Sequence, residues 1–112
     1  MKGRRNVTQL QLETATLGNE THLILRGKLT LANTREVRAT LLGGVEASAG
    51  GLFVDLREIR YLDSSGVAIL VEGRQAAIEA GKTFTLVEPS RAVMQVLELS
   101  QLDRIFTIRR GA

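Results

Sequence analysis

Two consecutive serines follow an aspartate where the chain is predicted to pass from a strand into a helix. The segment reads Asp63-Ser64-Ser65-Gly66 and lies between an apolar stretch and an amphipathic one. The first amide groups of a helix have no partner within the helix, and Asp and Ser side chains are favoured there because their oxygens accept those hydrogens. The segment is therefore predicted to cap a helix, and capping alone is one complete interpretation of it.

The same position also suits an interpretation in which the Ser64 hydroxyl accepts a phosphoryl group. A phosphate at a helix N-terminus meets free amides and the positive end of the helix dipole. It adds about −1.5 to −2 units of charge without melting the helix. The surface would change sign while the fold survives, so the segment is a candidate binding switch in which Asp63 keeps the phosphate directed towards solvent.

Other residue types that carry chemistry are few. The chain has no Cys and one His, His22, which shares its strand parity with Arg26 and Lys28 and is expected to face outward. The sequence contains no G-x-S-x-G nucleophile elbow, no P-loop pattern and no H-E-x-x-H zinc motif. We therefore expect neither a catalytic triad nor a metal site, and we predict that the protein is not an enzyme.

Length and composition indicate one folded domain. The chain has 112 residues, of which 44% are hydrophobic and 24% charged, as in ordinary globular proteins. The net charge is +3, but residues 6–103 contain nine basic and twelve acidic residues, so the positive excess lies near the two ends. This distribution argues against a nucleic-acid interface, which needs a clustered basic surface. We expect a basic tail at 1–6, the domain at 7–108 and a second tail at 109–112.

The apolar stretches of the chain are short. None approaches the ~18 residues that a membrane-spanning helix needs. The basic N-terminus is not followed by the apolar stretch of a signal peptide. We therefore expect a cytoplasmic protein with no direct membrane insertion.

Apolar periodicity predicts the elements that would position the serine segment. Strands are predicted at 7–15, 21–28, 52–56, 83–87 and 106–108. Helices are predicted after Asn33, where Glu36 completes a capping box, from the serine segment to about Ala80, and after Pro89. Strands that alternate with helices favour parallel pairing and right-handed crossovers. We expect a single-domain α/β sandwich: a mixed, mostly parallel sheet with an antiparallel N-terminal strand and helices packed on it.

The segment Leu62-Asp63-Ser64-Ser65-Gly66-Val67 resembles the signature of the STAS family, the bacterial anti-sigma factor antagonists. The resemblance covers nearly the whole chain, and the order of the predicted elements agrees with it. Further segments that are similar to the family are Phe53-Val54-Asp55-Leu56, Tyr61-Leu62, Pro89-Ser90-Arg91-Ala92-Val93, Val96-Leu97-Glu98-Leu99 and Leu102-Asp103-Arg104-Ile105-Phe106. The position of the motif after this strand makes the family assignment specific.

The resemblance implies a STAS-like domain that binds an anti-sigma factor while unphosphorylated and thereby releases a sigma factor. It implies that the anti-sigma factor is also a serine kinase, which ends the binding by phosphorylating a Ser of the motif. The family's acceptor directly follows the Asp and maps to Ser64, with Ser65 as second choice, and Asp63 supports the acceptor's conformation. No cofactor is implied.

One segment departs from the family's pattern. Family members often carry G-E-[LI]-D after the second strand, whereas this chain has Gly27-Lys28-Leu29-Thr30. Both acidic positions are lost, which bears on recognition by a kinase. STAS domains also serve as cytoplasmic adaptor subunits of ABC lipid transporters, where they bind the ATPase. The loss of the acidic pair favours that alternative role.

The helix after the motif has two predicted faces. Its inward residues are expected to be Val67, Leu70, Val71, Ala77 and Ile78. The residues assigned to motif support and partner binding are Leu29, Thr30, Asp63, Ser65, Gly66 and Ile69. We expect Ile69 to lie on the outward side of the helix, together with Gly73. Leu29 and Leu31 are rival candidates beside the motif, and they suit the core equally well.

Overall fold

A computed structural model of the protein describes residues 3–111. Within that range, six strands form one sheet in sequential order. The strands are β1 Gly3–Val7, β2 Leu10–Leu17, β3 Glu20–Leu29, β4 Gly51–Leu62, β5 Thr83–Val87 and β6 Thr107–Arg109. The helices are α1 Thr34–Ala47, α2 Ser64–Glu79 and α3 Arg91–Leu99, followed by a 3-10 turn at Leu102–Arg104.

The sheet is mixed, as the sequence predicts. β1, β2 and β3 pair antiparallel, whereas β3, β4, β5 and β6 pair parallel. The parallel strands are joined in turn by α1, α2 and α3. The predicted α/β sandwich is therefore confirmed. Leu29 and Leu62 are partners at the last position of β3 and β4, so these two strands end side by side where α2 begins.

The first strand corrects the predicted N-terminal tail. The residues of β1 pair with β2, with Arg4 opposite Glu13. The chain turns at Gln9, where φ is 59°, so the strand predicted at 7–15 is in fact two strands. A polar edge strand is held by backbone hydrogen bonds to its neighbour and gives no apolar signal in the sequence. Residues 1, 2 and 112 of the predicted tails lie outside the described residues, and Arg109 belongs to β6.

One hydrophobic cluster joins the sheet to all three helices. The fully buried residues of the central strands include Leu23, Leu25, Val54, Leu56 and Leu86. They belong to the same cluster as Val37 and Leu41 of α1, Leu70 of α2, and Val93 and Leu97 of α3. Alternate strand residues point to opposite faces, so this cluster fixes which face of the sheet the helices cover.

His22 lies on the other face of β3, and the expectation that it faces solvent is wrong. Its side chain is almost wholly buried, at 5% exposure. The ring stacks on Phe53 with the centroids 4.9 Å apart, and Nε2 lies 2.9 Å from Oε1 of Glu20. The guanidinium of Arg109 lies 4.6 Å from the Phe53 ring centroid and also pairs with Glu20. The alternation of residues along β3 correctly predicts the face on which His22 lies. It does not predict that Phe53 and Glu20 cover the His22 side chain on that face.

α1 and α2 pack closely against each other. A Cβ at Gly73 would collide with Leu41 and lie 2.9 Å from Cε1 of Phe84, so the glycine permits the close approach. Nε of Arg38 donates a hydrogen bond of 2.7 Å to Oε2 of Glu72 across the two helices. This hydrogen bond holds the pKa of the Glu72 carboxyl below its ordinary value.

The ion pair between α1 and α2 predicts a pH-dependent contribution to stability. A carboxyl whose pKa is lowered by folding stabilises the folded state above its unfolded pKa, and this contribution is lost as pH falls through the folded pKa. Because both side chains are partly exposed, Glu72→Gln should lower the free energy of unfolding by only about 0.2–1 kcal/mol near neutral pH. The difference from wild type should shrink in acid and vanish once the pH has fallen through the lowered pKa of the Glu72 carboxyl.

Urea unfolding followed by circular dichroism across this pH range measures the effect. Glu46→Gln is the matched control, because it removes the same charge from an exposed position of α1. An equal loss in the two variants at neutral pH, or a loss in Glu72→Gln that persists in acid, would contradict the assignment to Arg38.

Candidate functional site

α2 begins at the motif that the sequence singles out. Asp63 precedes the helix in an extended conformation, with φ −100° and ψ −177°. Its Oδ1 accepts a hydrogen bond of 3.0 Å from the Gly66 amide, which satisfies one free donor of the first turn. The predicted cap is therefore present, and the capping side chain is the aspartate and neither serine.

The second carboxylate oxygen of Asp63 reaches a distant segment of the chain. Oδ2 accepts a hydrogen bond of 3.1 Å from the Leu31 amide, in the loop between β3 and α1. The Asp63 amide in turn donates to the Leu29 carbonyl at 3.3 Å. Asp63 thus holds the start of α2 against this loop. These hydrogen bonds are a structural basis for the role in motif support that is predicted for Asp63.

The same loop is organised by Asn33, which the sequence analysis assigns only to capping. Asn33 precedes α1 but makes no side-chain capping bond, so the predicted capping box with Glu36 is wrong. Instead, Nδ2 of the buried Asn33 donates to the carbonyls of Thr8 and Lys28 at 2.7 and 2.8 Å. Its Oδ1 accepts from the Thr30 amide at 3.2 Å. Backbone groups of Thr8, Lys28 and Thr30 therefore occupy the side-chain amide that would otherwise cap the helix.

The two serines differ in accessibility. Ser64 is exposed at the first position of α2, and Ser65 is half-buried. Within residues 3–111, no group forms a hydrogen bond with the Ser64 hydroxyl. The Ser64 side chain therefore lies in the exposed first turn of a helix.

Gly66 is required by packing. A Cβ at this buried position would collide with the Leu62 side chain and lie 3.0 Å from both Cγ and the carbonyl oxygen of Leu29. The first turn of α2 therefore rests directly on the ends of β3 and β4. Gly66 supports the motif in this way, and it offers no side chain to a partner.

Two residues predicted to bind a partner belong to the core. Ile69 is 8% exposed and Leu29 is fully buried. The expectation that Ile69 faces outward is wrong, because the buried side of α2 is broad and includes Gly66, Ile69 and Gly73. Leu31, by contrast, is 75% exposed beside Asp63. Thr30 is partly exposed in the same loop.

Basic and aromatic side chains lie at the ends of the two strands beside the motif. Lys28 is the partner of Tyr61 in the register of β3 and β4, and Tyr61 is 52% exposed. In the described part of the chain, neither Lys28 nor the exposed Arg60 has an acidic side chain within ion-pair distance. Lys28 and Thr30 stand where the resemblance implies carboxylates, so one acidic position is replaced by a basic residue and the other by a neutral one.

The described residues contain no group of three or more His, Asp or Glu side chains that could hold a metal ion. No helix in the described range 3–111 is long and apolar enough to cross a membrane.

The site provides an accessible hydroxyl, the free amides of a helix start, and a mixed basic and apolar surface. These groups suit acceptance of a phosphoryl group and contact with another protein.

Comparisons with known proteins agree with this architecture. A family model described as "Mlab, STAS domain" matches residues 12–109. An anti-sigma factor antagonist from Mycobacterium paratuberculosis is 18% identical with a TM-score of 0.79, over 88% of this chain and 84% of that one.

Two further solved structures are similar. An anti-sigma-factor antagonist (STAS) domain protein from Planctomyces limnophilus is 17% identical with a TM-score of 0.77, over 90% of this chain and 91% of that one. The Bacillus cell fate determinant SpoIIAA in its phosphorylated form is 16% identical with a TM-score of 0.67, over 100% of this chain and 92% of that one. At these identities, the three matches establish the fold.

Proposed function

Because this chain belongs to the STAS domain family, we propose that it is an anti-sigma factor antagonist. It binds an anti-sigma factor that is also a serine kinase, and phosphorylation of Ser64 switches the binding off. The observation that carries this proposal is the exposed Ser64 hydroxyl at the first position of α2, which makes no hydrogen bond within residues 3–111.

The switch uses the local geometry of α2. In the transfer, Oγ of Ser64 attacks the γ-phosphorus of ATP, the bond to the ADP oxygen breaks, and the hydroxyl proton passes to a base of the kinase. The product phosphate lies beside free amides and the positive end of the dipole, so the helix tolerates it. The solved SpoIIAA structure in a phosphorylated form supports the idea that this fold accommodates a phosphate.

Phosphorylation by the cognate kinase tests the proposal. Incubation of the protein with its anti-sigma factor kinase and ATP should give one phosphoserine at Ser64, identified by mass spectrometry of peptides. Ser64→Ala should abolish the modification, whereas Ser65→Ala should leave it in place. Because a loss of 1.4 kcal/mol in binding free energy is a tenfold loss of affinity, we expect the phosphorylated protein to bind the kinase at least about tenfold more weakly.

The same serine variants can also refute the proposal. Unchanged phosphorylation in Ser64→Ala would refute Ser64 as the acceptor, and loss of phosphorylation only in Ser65→Ala would move the acceptor to Ser65. Equal binding of the kinase before and after modification would refute the switch, even if Ser64 is the acceptor.

A second role is supported by the replaced acidic positions, Lys28 and Thr30. In that role the protein is a cytoplasmic adaptor subunit of an ABC lipid transporter and binds its ATPase without phosphorylation. Co-purification with transporter subunits from the host, unaffected by ATP, is the result expected of the adaptor. Co-purification with a serine kinase, reversed by ATP, is expected of the antagonist.

Both roles are binding functions carried out in the cytoplasm, and we propose no catalytic activity. His22, the side chain that a Ser-His pair would need, is buried against Phe53 and bonded to Glu20. A turnover reaction of the purified protein that disappears in Ser64→Ala would contradict this assignment.

A further inference from the structure

We infer that Asn33 is a positioning residue for the candidate site. Its side chain joins the turn between β1 and β2 to the loop between β3 and α1, and that loop holds the side chain of Asp63 before α2. The inference rests on the proposed function, because the group that Asn33 would position is the hydroxyl of Ser64. It adds a residue outside the serine motif that decides how this hydroxyl is presented.

The side-chain amide of Asn33 uses both of its hydrogens and its oxygen inside the protein, where the residue is fully buried. Nδ2 donates to the carbonyl of Thr8 at 2.7 Å and to the carbonyl of Lys28 at 2.8 Å. Oδ1 accepts from the Thr30 amide at 3.2 Å. A buried polar group that loses its partner is costly. Any movement of these three backbone segments relative to one another is therefore opposed by the Asn33 side chain.

The turn between β1 and β2 also contacts β3 through its backbone. The Lys28 amide donates to the Gln9 carbonyl at 3.0 Å. The fit is close, because a Cβ at Gly27 would collide with the same carbonyl oxygen. Thr8 and Gln9 thus present two consecutive carbonyls to the end of β3, and the side chain of Asn33 binds the first of them.

The loop that Asn33 holds leads directly to Asp63. The Asn33 amide donates to the Thr30 carbonyl at 3.0 Å, which closes a tight turn. Within this turn the Leu31 amide donates to Oδ2 of Asp63 at 3.1 Å, and Oδ1 of the same side chain accepts from the first turn of α2. A shift of the loop therefore reaches, through one side chain, the helical turn that carries Ser64.

This arrangement leaves α1 without a side-chain cap. Asn is among the residues preferred before a helix, where its oxygen accepts an amide hydrogen of the first turn. Asn33 precedes α1 but makes no such bond, and its oxygen bonds to the Thr30 amide instead. Departures from local rules of this kind are expected near functional sites. The side chain thus stabilises the loop beside Asp63 in preference to its own helix.

Amide hydrogen exchange tests the connection without any partner protein. Asn33→Asp keeps an oxygen for the Thr30 amide, but it loses both donors and places a carboxylate against two carbonyls. At neutral pH the protection factor of the Leu31 amide should fall by about tenfold, the effect of losing one hydrogen bond to a charged group, and that of Gly66 by less. The matched control is Asn19→Asp, the same substitution in the exposed turn between β2 and β3, which should leave both amides unchanged.

A pH profile distinguishes positioning from general destabilisation. Burial raises the pKa of the carboxyl that Asn33→Asp introduces, and its protonated form regains one O–H donor. Protection at Leu31 in this variant should therefore recover in part as the pH falls from about 7 to about 5. Asn33→Ala has no donor to regain and should not recover. The wild type, followed over the same range, controls for titration of Asp63, and the amide of Val93 in the first turn of α3 should be unaffected throughout.

Phosphorylation kinetics connect the loop to the proposed function. With the cognate kinase and ATP, Asn33→Asp at neutral pH should lower kcat for modification of Ser64 by about tenfold and leave KM near that of wild type, because a displaced hydroxyl is bound but reacts slowly. A variant that only unfolds in part would supply less folded substrate and would raise the apparent KM alone. Asn19→Asp should show the wild-type values.

The two measurements separate this inference from the proposed function. Leu31 protection in Asn33→Asp equal to that in Asn19→Asp would overturn the inference, as would a change in KM alone. If Asn33→Ala does not fold, Asn33→Asp still decides the matter, since near pH 5 it carries a neutral side chain of the wild-type shape. Absence of phosphorylation at Ser64 in the wild type would refute the proposed function, and the exchange data would then still confirm or refute the connection from Asn33 to Asp63.

Discussion

Gly66→Ala is expected to lower the free energy of unfolding by about 1–3 kcal/mol, the usual cost of overpacking a filled interior. The new Cβ would meet the side chain of Leu62 and the backbone carbonyl of Leu29. The Leu62 side chain can adjust only within a packed core, and the Leu29 carbonyl belongs to β3 and cannot move without distorting that strand. The first turn of α2 must therefore shift away from the sheet.

Gly43→Ala is the matched control, because Gly43 is an exposed glycine within α1 with no atom near its added Cβ. Alanine in a helix is about 0.5–1 kcal/mol more favourable than glycine. The two Gly→Ala substitutions should thus have opposite signs in urea unfolding. A Gly66→Ala variant as stable as Gly43→Ala would show that α2 does not rest on the strand ends as described.

Displacement of α2 would also alter the candidate site. The Gly66 amide is the donor to Asp63, so a shift of the first turn stretches the capping bond and moves Ser64 with it. We therefore expect Gly66→Ala to slow phosphorylation of Ser64 more than Ser65→Ala does. Because only a glycine fits at position 66, the packing of the core determines where the Ser64 hydroxyl lies.

The sequence predicts most where the periodicity is strong. The apolar run at 52–56 is part of β4, and α2 begins at the serines as the capping pattern indicates. Within α2, however, Ile69 is buried and Ile78 is exposed, the reverse of the expected faces. The helix contacts both α1 and β5, so its buried side is broad, and only the glycines at 66 and 73 signal in the sequence that neighbouring elements approach closely.

The sequence predicts least where backbone groups or distant residues decide the structure. β1 is polar and is held by its pairing with β2, so no apolar pattern marks it. Asn33 is a residue type that often caps helices, but its side-chain amide donates to the carbonyls of Lys28 and Thr8, and Thr8 lies 25 positions away along the chain. The contact of Asp63 with Leu31 spans 32 positions of the chain, and local spacing has no means of indicating it.

That contact makes Asp63 more than a helix cap. A capping residue satisfies amides of its own helix, whereas this side chain divides its two oxygens between α2 and the loop after β3. Ser64 and Leu31 are consequently held at a fixed separation on the surface. The supporting role that the resemblance implies for the aspartate therefore has a geometric basis, which a pair of substitutions can resolve.

Asp63→Ala should destabilise the protein by about 2–3 kcal/mol, since it removes the cap and a second bond to a charged acceptor. Asp63→Asn retains one carbonyl oxygen for the Gly66 amide but turns a donor towards Leu31, so it should cost about 1 kcal/mol. Amide hydrogen exchange distinguishes the two bonds: Asn should lower protection at Leu31 alone, whereas Ala should lower it at both residues. Ser90→Ala, which removes the cap of α3, should leave both amides protected. Unchanged exchange at Leu31 in Asp63→Ala would refute the connection that Asp63 makes between the start of α2 and the loop after β3.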